Sequence, residues 1–171
     1  MSLLARLLKP QPDPREALRP LWHRVVELSR EPALYRDDGV ADTVAGRFDM
    51  ITAVLAVVLL RLERDGLADE TALLTELFVA DMDAQLRETG VGDVVVGKHM
   101  GKLMSALGGR IGALREALAS DDEIALEAAL ERNVTMNGQA GTEALARRLR
   151  AFADKLAALD TNEVLAGRID L

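Results

Sequence analysis

Apolar residues recur every three or four positions along most of this chain and almost never at every second one, which is the period of helices rather than strands. Asp13 as N-cap, Pro14 at the first helical position and Glu16 in the first turn announce a helix that carries Leu18, Leu21, Trp22, Val25 and Leu28 on one face. Pro20 interrupts that pattern, so the helix either kinks or begins there, and Glu31-Pro32 closes it. After the polar connector Arg36-Asp37-Asp38-Gly39, Asp42 is a good N-cap for a second helix. Val44, Phe48, Ile51, Leu55, Val58, Leu59 and Leu62 form its stripe, and Met50, Val54 and Val57 add a second apolar face, so this helix should be central. Asp65-Gly66 ends it.

Leu73, Leu74, Leu77, Phe78, Met82 and Leu86 mark a third helix that stops near Thr89-Gly90, and Gly90 to Gly97 reads as an unusual loop. The next helix keeps Met100, Leu103, Met104, Leu107, Ile111, Leu114 and Leu118 on one stripe. Gly101, Gly108, Gly109 and Gly112 lie along it, each costing up to about 1 kcal/mol relative to Ala, which predicts close helix–helix approach or a kink. Ser120-Asp121-Asp122-Glu123 resembles a capping box for a short helix through Arg132. Asn137-Gly138 breaks the chain before a last long helix with Leu145, Leu149, Phe152, Leu156 and Leu159 buried, and Asp160 to Glu163 caps a final turn. The expected fold is all-α: one domain, a compact bundle of six or seven helices over residues 15–171, preceded by a flexible leucine- and proline-rich tail, residues 1–14.

Composition narrows the function. The 171 residues suffice for one core, and cysteine is absent, which removes disulfides, thiolate metal sites and cysteine nucleophiles. Two histidines, His23 and His99, exclude a multi-histidine metal site. A net charge of −7 argues against nucleic-acid binding. The longest apolar run, Met50 to Leu60, is about half of what a membrane span needs, and the N-terminus does not read as a secretory signal, so a cytoplasmic location is expected. In the tail, Leu3, Leu4, Leu7 and Leu8 share a face that would suit a membrane or partner contact.

Gly92-Asp93-Val94-Val95-Val96-Gly97-Lys98 satisfies most of a phosphate-binding loop, but His99 stands where Ser or Thr would hold Mg²⁺, and a helix rather than a strand precedes it. Asp81 and Asp83, two apart on a helix, do not converge. No nucleophile elbow accompanies either histidine, so no enzymatic activity and no resident cofactor are expected. Lys98, His99, Lys102, Arg110 and Arg115 make one helix locally basic, while Asp69, Glu70, Glu76, Asp81, Asp83 and Glu88 make the preceding one acidic. The two faces either lie side by side or form a bipolar surface that orients a partner.

Four blocks in order resemble the ubiquinol–cytochrome c chaperone family over about residues 35–168. They are Tyr35 with Gly39-Val40-Ala41-Asp42-Thr43 and Gly46-Arg47-Phe48; Phe78 to Asp83 with Glu88 to Asp93 and Val96-Gly97-Lys98; Ser120-Asp121-Asp122 with Ala128-Ala129-Leu130 and Asn133; and Leu149-Arg150-Ala151-Phe152 with Leu159-Asp160. Ala41 stands where a proline is usual, and Leu107-Gly108 replaces an aromatic pair. The resemblance implies an assembly chaperone that binds newly made cytochrome b and promotes assembly of the ubiquinol–cytochrome c reductase complex at the cytoplasmic face of the inner membrane. Its further implied partners are a small second protein, the ribosome and a peripheral membrane contact. Client contact is expected at Gly92, Asp93, Gly97, Lys98, His99 and Lys102, from loop exposure and charge, together with Arg47 and Phe48. The alternatives are a haem- or quinone-binding helical protein, with His99 as an axial ligand, and a general helical adaptor.

Overall fold

The computed structural model describes residues 13–88, 93–120, 122–139 and 141–171, without the side chains of 93–96. A 3₁₀ turn, Pro14–Leu18, leads into α1 (Arg19–Leu28), α2 (Pro32–Arg36), α3 (Val44–Arg64), α4 (Ala68–Glu88), α5 (Asp93–Ala119), α6 (Glu123–Asn133), α7 (Glu143–Ala158) and α8 (Thr161–Leu165). The fold is all-helical, and the six helices of ten or more residues carry the bundle among the described residues. Val40 and Met136 form one isolated antiparallel bridge between connecting segments.

Local chemistry accounts for the helix boundaries. The Asp13 carboxylate accepts the Arg15 N–H at 3.0 Å and starts the 3₁₀ turn. The α-helix begins at Arg19, so Pro20 falls in a first turn where its missing N–H is not needed. Pro32 opens the short α2 by the same rule, an element the pattern did not announce. The cap of α3 is Thr43, whose hydroxyl accepts the Gly46 N–H at 3.1 Å; Asp42, the expected cap, pairs with Arg47 instead. Asp122 caps α6 through the Ile124 N–H at 2.9 Å, whereas the Ser120 hydroxyl turns back to the Ala117 carbonyl. Gly66 leaves α3 at φ +76°, a conformation that glycine adopts without strain.

As expected, α3 is the axis. Met50, Val54, Leu55, Val57, Val58, Leu59 and Leu62 are all buried, and α3 packs most extensively on α5, then on α7. Val44 departs from the expected stripe: it is 88% exposed, because the first turn of α3 projects beyond the neighbouring helices. The last long helix buries Leu145, Leu149, Phe152 and Leu156, and Trp22 meets Phe78 edge-on at 6.0 Å between α1 and α4.

Two expectations about α5 are corrected. The supposed loop to Gly97 is helical from Asp93, which removes the phosphate-loop geometry. Among the described residues the glycines do not serve close helix–helix approach, since a Cβ at Gly97, Gly101, Gly108, Gly109 or Gly112 would meet nothing within 4 Å. The tight approach is at Gly46, where a Cβ would lie 2.0 Å from the Ala41 carbonyl oxygen and 3.4 Å from that of Thr135. The absence of a side chain there lets residues 39–41 pair with 135–137, through Ala41 N–H to Thr135 O at 2.9 Å and Asn137 N–H to Gly39 O at 2.8 Å. No helix among the described residues is long and apolar enough to cross a membrane.

Candidate functional site

The first two turns of α3 present Val44, Arg47, Phe48 and Ile51 at i, i+3, i+4 and i+7, which places them on one face. Met82 and Leu86 from the end of α4 and Leu103 from α5 face them, enclosing an open groove of about 510 Å³. Its apolar floor is Phe48, Ile51, Met82 and Leu103, and Val44 stands at its mouth. The size and the apolar lining with few polar groups suit recognition of an apolar partner. Arg30, Arg47 and Gln85 supply the polar rim.

Arg47 is held in place on both sides. Its Nε donates to Asp42 at 2.7 Å, and its guanidinium lies 5.8 Å from the centroid of the Tyr35 ring. The hydrogen bond from Arg47 holds the Asp42 carboxyl below its usual range. Tyr35 donates to the Ser29 carbonyl at 2.6 Å, and burial pushes its phenol up.

Behind the groove lies a buried polar cluster that the sequence reading missed. Arg110 was expected on the basic surface of its helix, but it is buried, reaching from α5 into α3. Its guanidinium pairs with Asp49, donates to the Thr52 hydroxyl and, through Nε, to the Asn133 carbonyl at 2.9 Å. Asp49 also accepts the Thr135 N–H at 2.9 Å and the Thr135 hydroxyl at 2.6 Å. Every polar group of this pair has a partner, which is what makes a buried ion pair tolerable. The same guanidinium lies 5.7 Å from the centroid of Phe48, so the ring on the groove floor rests on the buried cluster. The signal was present: Asp49 and Thr52 interrupt an otherwise apolar stretch, and a charge inside such a stretch implies a partner.

Of the predicted contact residues, Arg47 and Phe48 line the groove. Gly97, Lys98 and Lys102 are exposed on α5, and half-buried His99 lies one turn before Leu103 on the same side of that helix. Asp93 opens α5, and Gly92 lies outside the described residues. The basic stripe is not continuous, since Arg110 is internal and Arg115 pairs with Glu63 of α3. In the acidic helix, Asp83 pairs with Arg87 of its own turn.

A family model described as ubiquinol-cytochrome C chaperone matches residues 36–171. The crystal structure of the Cbp3 homolog from Brucella abortus is similar to this chain at 30% identity, with a TM-score of 0.77 over 91% of this chain and 88% of that one. No curated protein sequence matches closely enough to count as a relative. With four-fifths of its length under the family model and nearly all of it aligned with a homologous structure, the chain belongs to the ubiquinol–cytochrome c chaperone family.

Proposed function

We propose that this protein is an assembly chaperone that holds newly made cytochrome b in the groove between α3, α4 and α5 until the ubiquinol–cytochrome c reductase complex is assembled. The observation that carries the reading is the open apolar wall formed by Val44, Phe48, Ile51, Met82, Leu86 and Leu103 on a chain of this family. A hydrophobic client exposes apolar helices before assembly, and a groove between helices shields such a face without chemistry of its own. Lys98, His99 and Lys102 extend the contact along α5 from Leu103, and binding occurs at the cytoplasmic face of the inner membrane.

Deleting the gene tests this directly. The expected result is parallel loss of the b-type haem signal in reduced-minus-oxidised membrane spectra and of ubiquinol–cytochrome c reductase activity. The intact gene restores both, and Val44→Asp or Phe48→Asp does not, although the Val44→Asp protein accumulates normally because Val44 is exposed. Unchanged membranes after deletion would overturn the proposal.

A further inference from the structure

The groove carries a charge signature that specifies more than an apolar partner. Among the described residues its lining contains no carboxylate and two arginines, on a chain whose net charge is −7. Arg47 is already engaged by Asp42 and Tyr35, whereas the exposed Arg30 guanidinium has no hydrogen bond or ion pair among the described residues. Arg30 also stands where three hollows meet: the groove itself, one along α1 and α4 past Trp22 and Val26, and one beside Pro32 and Tyr35. Of the carboxylates that share a hollow with Arg30, Glu27 and Asp81 line the one along α1 and α4, where Glu27 pairs with Arg24, and Asp42 lines the one beside Tyr35, where it pairs with Arg47.

We propose that the groove selects a partner helix that is apolar along one stripe and bears a carboxylate beside it, which pairs with Arg30. The inference rests on the chaperone reading above and names the chemistry of the client segment. The occupant is a helix because the walls are helix faces at i, i+3, i+4 and i+7 spacing, and no strand edge among the described residues is available for a peptide to extend. It is acidic because an unpaired guanidinium at the rim favours a carboxylate and penalises a like charge. The leucine-rich N-terminal segment is a poor occupant on the same ground, since its charged side chains are Arg6 and Lys9.

The test uses the full chain and three fluorescent leucine–alanine helical peptides of about 20 residues, ending in a Glu, Gln or Lys pair. Fluorescence anisotropy at low salt should rank them Glu, Gln, Lys, with about a tenfold span between the extremes. Arg30→Gln should collapse the span to about one without changing the circular dichroism melt, and high salt should do the same. Val44→Asp should weaken all three. Equal binding of the three peptides, or a ranking that survives Arg30→Gln, overturns the inference and leaves the chaperone reading intact where deletion still abolishes the reductase. Arg30-dependent binding to phosphatidylglycerol vesicles with no peptide binding also overturns it, reassigning the rim to lipid headgroups.

Discussion

Helices α3 and α5 pack more extensively on each other than any other pair, yet they are built on opposite principles. Fourteen residues of α3 are buried, and its interior run from Met50 to Leu59 touches neighbours on every side. By contrast, from residue 97 onward α5 buries Leu107, Arg110, Leu114 and Ala117 along one narrow stripe, while its glycines face open space. The first helix is stable because it is enclosed. The second is marginal by propensity and depends on what it is packed against. That difference explains why the groove lies where α3 emerges from its enclosure and meets α5. There, among the described residues, an apolar face continues past the end of its cover.

The sharpest way to break the contrast is at the ionic link between the two helices. Asp49→Ala strands Arg110 in the interior and should cost about 3–5 kcal/mol in urea unfolding. Replacing the pair together, by Asp49→Leu with Arg110→Met, should recover most of that loss. Truncation inside the enclosed helix comes next: Leu55→Ala should cost about 2–5 kcal/mol by the same measurement, against about 1 kcal/mol for Leu103→Ala on the half-open α5. Gly46→Ala forces a Cβ against the Ala41 carbonyl and should destabilise by about 1–3 kcal/mol, while opening the pairing of residues 39–41 with 135–137 to hydrogen exchange. On α5 the sign reverses. Gly101→Ala or Gly108→Ala should raise stability by about 0.5–1 kcal/mol each, since no described residue lies within 4 Å of the added Cβ.

The smallest effect is at the entrance to α1. The Arg15 side chain, by hydrogen bonding, holds the Asp13 carboxyl at about 2 against an ordinary 3.8. Because the folded value is the lower one, its contribution is present above the ordinary carboxylate range and is lost as pH falls through about 2. A carboxyl-carbon NMR titration should give a midpoint near 2 for Asp13, and a higher one in Arg15→Ala that stays below 3.8, because the backbone N–H of residue 15 still donates to the carboxylate.

Helix caps and exposed arginines show where reading along the chain stops working. Asp42, Thr43 and Ser120 are all competent caps by composition, but only geometry decides that Thr43 caps α3 while Asp42 serves Arg47 and Ser120 turns to Ala117. Arginines three or four residues from a helix face read as solvated charge. Yet Arg61 donates to the Leu156 and Leu159 carbonyls, Arg110 to Asn133 and Arg150 to Ala117, each satisfying the carbonyl end of a different helix. Burial holds the Arg61 guanidinium below its usual value. Asp38, read as part of a polar connector, is buried and paired with Arg148 of α7. These links join residues about 20 to 110 positions apart in the chain, and no local period encodes them.

Helix type, the central role of α3 and the buried stripe of α7 were legible in the residues alone, because burial imposes its own period on a chain and because Gly66 and Asp160 are local stop and start signals. Arg47 and Phe48, expected as contact residues through the block that carries them, line the groove. Tertiary structure alone decided that Val44 is exposed, that Arg110 is internal, that the α5 glycines look outward, and that Arg30 joins the groove. The physical reason is that periodicity reports which face of a helix avoids water. It does not report where along that face the neighbouring helices end, and the groove is defined by those ends.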